Sequence, residues 1–380
     1  MKAKALLRRV LPAAAIDMGR RLQASVESKF FVPERLTGLP PFSWRQGLKV
    51  ALVKQDTYSN LYVGPNRMAP ADLLESSIKH TGPFALFSEL DADFFIIKPS
   101  LSAGCHVWRE KVTHCGQGSM LHFENLRQNC RFGGKTQGEW AVDEASVDWG
   151  SYDIVISVDV AISPGITRQH SGVLWCYYIS EPCMPSYAKS HRSPLPGYDI
   201  FLNQRFDGRF ASPSAHEINF PFALQKFGCF DRALGLSAQE MRRSGCFVES
   251  HSAKDAAFLD LRRFGEIRGV SASSFKIISD LYRSKYFVRL GGRHMWGNAM
   301  VEAVASGCLV LGRPGEFKNK SLFTRGAAVE SLDELAKKIE YFEANPNAYA
   351  AEVEEQRARL DHFCFWRPMG ELIGRAKAIV

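Results

Sequence analysis

The residues best suited to chemistry in this chain lie between Ser284 and Gly312, in the stretch SKYFVRLGGRHMWGNAMVEAVASGCLVLG. Gly291 and Gly292 lack the Cβ atoms that would keep a ligand away from the backbone. A few residues on, Gly297, Asn298 and Ala299 open a run of helical periodicity. Their backbone N–H groups have no intrahelical partners and carry the positive end of the helix dipole. Such a helix start attracts an anion, above all a phosphate. Glu302 falls one turn deeper than Asn298 on the same helical face, where its carboxylate is placed to accept hydrogen bonds from ribose hydroxyls. Arg293 offers a planar fork for phosphate oxygens, and His294 beside it can contact either sugar or phosphate. A phosphate cradle next to a sugar-reading carboxylate describes a nucleotide-sugar pocket. The plainer alternative is an ordinary βαβ unit in which Glu302 is a solvated helix residue.

The same stretch supplies the elements that must hold these groups. Lys285 to Leu290 is β-rich and closes at the two glycines, Asn298 suits a helix N-cap, and Ala299 to Ser306 has apolar residues at helical spacing. Gly307 stands where a helix C′ glycine belongs, and Cys308 to Leu311 is a buried-strand run ending at Gly312. Strand, turn, helix and strand in this order make a parallel pair. The alternation recurs along the chain. Strands are expected at Leu48–Val53, Phe94–Lys98, Asp153–Val158, Val173–Ile179 and Tyr198–Asn203, with a helix at Ala69–His80. After the aperiodic, Pro-containing stretch from Ala211 to Phe227, strands are expected at Cys246–Glu249, Ile267–Val270 and Ala327–Glu330. Helices are expected at Asp255–Phe264, at Ser274–Arg283, at Leu332–Glu343 behind the capping box Ser331-x-x-Glu334, and from Ala348 onward. In open α/β sheets the loops at strand carboxyl ends face a ligand crevice. Asp159 and Glu181 occupy two such loops in the first half and are the candidates for a catalytic base, each with the plainer reading of a loop acid or helix cap. Lys254 occupies another in the second half.

Composition narrows the partners. The 380 residues carry a net charge of +8, with 46% hydrophobic and 23% charged residues. These are globular values for a chain long enough for two domains, and the basic balance favours anionic partners. Nucleic acid is not among those expected, because no zinc-finger spacing, RNP-type run or long Lys/Arg block is present. Nine cysteines without a CxxC pair, several inside buried-strand runs, fit free thiols in a reducing compartment, hence the cytoplasm. Cys105, His106, His114, Cys115, His122 and Cys130 match no structural zinc spacing, so no metal is assigned to them. Gly133-Gly134-Lys135-Thr136 is not a Walker motif, since Asn129 stands where its first glycine belongs. No run of residues is long and apolar enough for a membrane span. Residues 1–25 form a basic amphipathic helix interrupted by Pro12, for which three readings stay open: a surface helix of the folded domain, peripheral attachment to anionic lipid, or a targeting segment.

The run Gly297-x4-Glu302-Ala303-x-Ala305-x-Gly307-Cys308-x-Val310 resembles the C-terminal donor-binding motif of GT-B glycosyltransferases, the superfamily that includes the group 1 and exostosin-like enzymes. Group 1 enzymes carry a pair of glutamates there. Glu302 stands at the second position and His294 at the first, while Tyr282 to Phe287 and Gly291 to Arg293 look closer to the exostosin-like variants. Group 1 enzymes also place an Arg and a Lys on the donor diphosphate, and here Glu249 stands at the Arg position and Lys254 at the Lys position. The resemblance implies a GT-B-like α/β fold of two doubly wound Rossmann-like domains facing a cleft. Its expected parts are a basic extension over 1–40, an acceptor-side domain over 41–222, a nucleotide-sugar domain over 223–345, and helices over 346–380 that cross back to the first domain. The implied activity is metal-independent transfer of a sugar from a nucleoside-diphosphate sugar to a glycan or lipid-linked acceptor, as in cell-surface polysaccharide synthesis. The donor would be held by Lys254, Gly292, Arg293, Gly297, Asn298, Ala299 and Glu302, with Asp159, Glu181 and His294 as the catalytic candidates and no cofactor. A nucleotide-sugar epimerase or phosphorylase of the same fold, or a non-catalytic surface-assembly protein, are the alternatives.

Overall fold

The computed structural model describes residues 13–36, 47–55, 93–97, 141–158, 161–179, 196–203, 216–219, 242–249, 256–269, 274–290, 298–317 and 320–376. The chain divides into two compact units: residues 37–205, 209–236 and 361–380 form the first, and residues 1–36, 206–208 and 237–360 the second. The described part opens with α1 (Ala13–Lys29), which belongs to the second unit.

The first unit is built on β1 (Val50–Gln55), β2 (Asp93–Ile97), β3 (Ala141–Val142), β4 (Ile154–Val158), the short helix α2 (Pro164–Gln169), β5 (Leu174–Ile179), β6 (Ile200–Asn203) and β7 (Glu217–Asn219). The strands lie in the order β3-β2-β1-β4-β5-β6-β7, and every neighbouring pair is parallel. The chain winds outward from β1, then returns to its other side at β4, so the winding direction reverses between β1 and β4. A parallel sheet covered on both faces needs apolar strands throughout. Ile154 to Ile156 and Leu174 to Tyr178 are accordingly all buried. One face carries an aromatic cluster in edge-on contact: Phe95 against Trp149 at 5.5 Å, Trp149 against Trp175 at 5.9 Å and Tyr177 against Tyr198 at 5.4 Å. Each contact of this kind adds about 0.5–1.5 kcal/mol beyond burial. The buried indole N–H groups are satisfied, since Trp149 Nε1 donates to the Glu144 carbonyl (2.7 Å) and Trp175 Nε1 to the His170 carbonyl (3.1 Å). Strands β3 and β7 are too short to have shown a period in the sequence.

The second unit holds β8 (Cys246–Val248), β9 (Ile267–Gly269), α3 (Ser274–Arg283), β10 (Tyr286–Arg289), α4 (Asn298–Ser306), β11 (Leu309–Gly312), α5 (Leu332–Ala344) and α6 (Pro346–Asp361). Its sheet is also wholly parallel, in the order β11-β10-β8-β9. Here the winding reverses between β8 and β10. Two wholly parallel sheets in one chain, each with a reversal of winding, match the α/β class with two doubly wound Rossmann-like domains that the sequence leads one to expect. The helix expected at Asp255–Phe264 is present over Ala256–Phe264 as a 3-10 helix, while the strand expected at Ala327–Glu330 shrinks to a single bridge between Gly312 and Ala328. β11 itself ends at Gly312, ahead of the 3-10 turn Pro314–Glu316, so the segment finds no further partner beyond the bridge, and before the bridge α6 takes over the edge. Gln356 is fully buried and bonds both backbone groups of Val310, its amide accepting from Val310 N–H and donating to the Val310 carbonyl at 2.8 Å each. One side chain thus does for the edge of β11 what another strand would do, and it leaves no open edge there.

Helix α1 docks on the second unit through one face. Ser28 Oγ accepts from the Gly315 N–H (3.0 Å), Lys320 pairs with Glu27 (2.6 Å), and Phe31 meets Phe323 edge-on. A Cβ on Gly315 would sit 2.0 Å from the Ala24 carbonyl oxygen, so the close approach of helix and turn requires glycine. Helix α5 starts at Ser331, whose Oγ accepts from Glu334 N–H at 3.2 Å. The Glu334 carboxylate reaches the N–H of Glu330, one residue before the cap. Past α6, a π-helical turn at His362–Trp366 leads into α7 (Arg367–Ala376). Residues 361–380 group with the first unit, where Arg375 donates to the Glu217 carbonyl of β7 at 2.8 Å. The boundary expected at 222 lies outside the described residues.

Replacing Gln356 by Leu leaves the N–H and carbonyl of Val310 buried without partners, at about 1–3 kcal/mol each. The expected outcome is a loss of about 3 kcal/mol in the stability of the second unit, measured by denaturant unfolding followed by far-UV circular dichroism, while Gln356→Glu at low pH, where the acid can donate, loses less.

Candidate active site

The crevice outside the carboxyl ends of parallel strands, at the point where the winding reverses, is where open α/β sheets bind ligands. In the second unit that point lies between β8 and β10. Val248 is level with Val288 in the parallel register, so Glu249, just past β8, is level with Arg289, the last residue of β10. The two form an ion pair at 2.8 Å, with the Arg289 side chain 2% exposed. Glu249 N–H also donates to the Val288 carbonyl at 3.0 Å, and the guanidinium lies over the Phe317 ring, 5.1 Å from its centroid. Residues 250–255 follow Glu249 in sequence and residues 291–297 follow Arg289 and Leu290, so the pair stands just ahead of the two segments expected to meet a diphosphate.

Helix α4 follows β10 and runs back to β11, and a crossover of this kind puts its amino end on the side of the strand carboxyl ends. Its other end is tied down. Gly307 takes φ 92°, its N–H bonds the Val304 carbonyl (3.0 Å), and Cys308 N–H bonds the Ala303 carbonyl (2.8 Å). This is a complete Schellman closure. Arg243 adds hydrogen bonds to the Ser306 and Ser284 carbonyls, putting a cation at the negative end of the helix dipole. Met300, Val301, Ala303, Val304 and Ala305 are all buried, so packing encloses the helix.

Glu302 is 4% exposed in the midst of these residues. It is therefore not a solvated helix residue, which removes the plainer alternative for its side chain. A carboxylate is enclosed this far in an apolar helix only where polar groups meet it. Asn298 and Ala299 are the first two residues of α4, and Ala299 is half-buried. Lys254, Gly292, Arg293, His294 and Gly297 lie outside the described residues, as do Asp159 and Glu181 in the first unit. Of the first unit's crevice the frame is described. The Tyr198 hydroxyl donates to Ser157 Oγ in β4 (2.7 Å) and accepts from Ile162 N–H (2.8 Å), two residues that bracket Asp159 in sequence. Sequence reasoning missed Arg289. The available signal was a charged residue ending each of two neighbouring apolar strands, Cys246–Glu249 and Tyr286–Arg289, with opposite signs.

Other reactive groups are accounted for structurally. The described cysteines, Cys176, Cys246, Cys308 and Cys364, are free and buried. Desolvation pushes the Cys246 thiol up to about 12 and raises the other three, so none is poised as a thiolate nucleophile. Among the described residues no His/Cys/Asp/Glu group is arranged to hold a metal ion, and the stretch from Cys105 to Cys130 lies outside them. A cavity of about 480 Å³ lies between α5, α6 and the segment around Gly326. Its charged members are already engaged. Lys338 donates to the carbonyls of Arg325, Gly326 and Ala328, and burial lowers its pKa. Glu352, raised by burial, accepts from Thr324. The pair staples the segment after β11 to the helices.

No protein-family model matches the chain, and no curated protein does. Among solved structures, T4 phage β-glucosyltransferase in complex with UDP and Mn2+ superposes with a TM-score of 0.41 at 10% identity, covering 87% of this chain and 99% of that one. Sucrose-phosphate synthase from Thermosynechococcus elongatus gives 0.42 at 11% identity, covering 88% and 100%. The glycosyltransferase SnogD from Streptomyces nogalater gives 0.33 at 11% identity, covering 87% and 99%. The fold itself is defined by the strand orders of the two parallel sheets.

Removing one member of a buried ion pair leaves the other uncompensated, at about 3–5 kcal/mol, whereas apolar replacement of both is close to neutral. Arg289→Met is expected to destabilise the second unit by about 3 kcal/mol, and the double variant Arg289→Met/Glu249→Leu to recover about half or more of it in the same unfolding measurement.

Proposed function

We propose that the chain is a glycosyltransferase that moves a sugar from a nucleoside-diphosphate sugar to a glycan or lipid-linked acceptor. The observation that carries this reading is the burial of Glu302 in α4, whose amino end faces the strand carboxyl ends where the winding of the second sheet reverses. A nucleotide bound there places its diphosphate against the first N–H groups of α4, at Gly297, Asn298 and Ala299, and its ribose one turn deeper against Glu302. Gly292 allows close approach, and Arg293 and Lys254 add cations.

Transfer asks for little covalent chemistry from the protein. As the sugar leaves, negative charge builds on the β-phosphate, and preorganised donors aimed at that charge lower the barrier, each by about 3 kcal/mol in comparable oxyanion sites. In this reading the helix start, Arg293 and Lys254 do that work without a metal. His294 contacts the sugar or phosphate. Asp159 or Glu181 supplies the base that an inverting reaction would need. The acceptor side is assigned to the first unit, and the enzyme to the cytoplasm, peripheral on the inner face of the membrane.

A thermal-shift series with nucleoside diphosphates tests the pocket. A ligand at 100 times its Kd adds about 2.7 kcal/mol of stability, so at least one nucleoside diphosphate is expected to raise Tm by about 5–10 °C for a unit of this size. Glu302→Ala is expected to abolish most of that shift, and donor hydrolysis or transfer with it. If no nucleotide shifts Tm, or Glu302→Ala responds like the parent, the ribose assignment is wrong.

A further inference from the structure

Helix α1 uses its two sides for different purposes. Ala24 and Ser28 are buried against the Gly315 turn. On the other side Met18, Leu22, Val26 and Phe30 recur every fourth residue and are 63%, 61%, 55% and 73% exposed. At 3.6 residues per turn these four form one continuous stripe, roughly opposite Ala24 and Ser28. Val32, 80% exposed, extends it beyond the helix end. Large apolar side chains in a contiguous exposed row mark a surface that binds something.

Charge decides what it binds. Residues 1–36 hold eight Lys and Arg against three Asp and Glu, which is five of the chain's net +8 in under a tenth of its length. One of the three acids, Glu27, is held by Lys320, whose hydrogen bond keeps that carboxyl below its usual range. Lys29 is exposed at the end of the helix, next in sequence to Phe30. An apolar stripe in a strongly basic stretch of sequence, with Lys29 exposed at its end, on a helix lying on a folded body, matches the boundary between acyl chains and acidic headgroups. A second protein copy would instead bring the same excess positive charge against itself. Among the described residues no helix is long and apolar enough to cross a membrane, so the contact is with the surface.

We propose that α1 docks the second unit on an anionic bilayer surface, with Met18, Leu22, Val26, Phe30 and Val32 entering the interface and the neighbouring basic residues meeting acidic headgroups. The inference is independent of the transferase reading and needs no nucleotide. Its test is co-sedimentation of the full chain with vesicles of phosphatidylcholine, alone or with about one third phosphatidylglycerol. Each cation near an acidic surface contributes about a five-fold factor in partition, so the parent chain is expected to favour the acidic vesicles at least about ten-fold and to be released by high salt. The double variant Leu22→Ser/Val26→Ser is expected to lose about ten-fold in partition. Its Tm and any nucleotide-induced shift should be unchanged, because neither side chain is buried. Equal binding to both vesicle types, salt-insensitive binding, or undiminished binding by the double variant would overturn the proposal. A dimer in solution that the double variant converts to monomer, with no vesicle binding by the parent, would assign the stripe to a second copy of the chain instead.

Discussion

A guanidinium enclosed as fully as that of Arg289 needs a counter-charge within reach, and the second unit is arranged so that one is there. Arg289 ends the central strand β10, Glu249 follows the neighbouring strand β8, and parallel register makes them level. Phe317, from the turn after β11, lies over the guanidinium and draws a third strand end into the same contact. The charged pair therefore marks the reversal of winding and fixes the ends of both strands beside it. A pair of this kind contributes little net stability against an apolar replacement. Its value lies in holding two strand ends in one geometry, which a merely greasy contact would leave free to slide.

The direction of α4 follows from the same economy of partners. Its carboxyl end is closed by Gly307 in a left-handed conformation and by the Arg243 guanidinium, and its sides are enclosed by packing. The amino end of α4 then faces the side of the strand carboxyl ends. Glu302, enclosed within this helix, stands one turn behind that positive end.

The remaining design concerns edges and surfaces. Gln356 closes the edge of β11 with one amide, and the Lys338 and Glu352 contacts hold the segment beyond it to α5 and α6. Burial of four thiols keeps them protonated and inert. Helix α1 packs on the second unit through Ala24 and Ser28, where a Cβ at Gly315 would collide with the Ala24 backbone. The larger apolar side chains are thereby left outward.

The alternation of apolar runs in the sequence was enough to determine two α/β halves, the strand, helix and strand between Lys285 and Gly312, the closure of α4 at Gly307 and the cap at Ser331. These are local properties of backbone stiffness, side-chain period and chirality, and they survive without knowledge of neighbours. The segment at Ala327–Glu330 reads as a strand by the same rules and becomes a single bridge because β11 ends at Gly312 and a distant glutamine holds the edge at Val310. Whether Glu302 is solvated or enclosed, whether Glu249 is a lone loop acid or half of an ion pair with Arg289, and which side of α1 faces the protein were decided by tertiary structure alone. Each depends on residues far away in sequence, as Ser28 depends on Gly315, and the period of a helix says how its faces are spaced but not which of them a neighbour will cover.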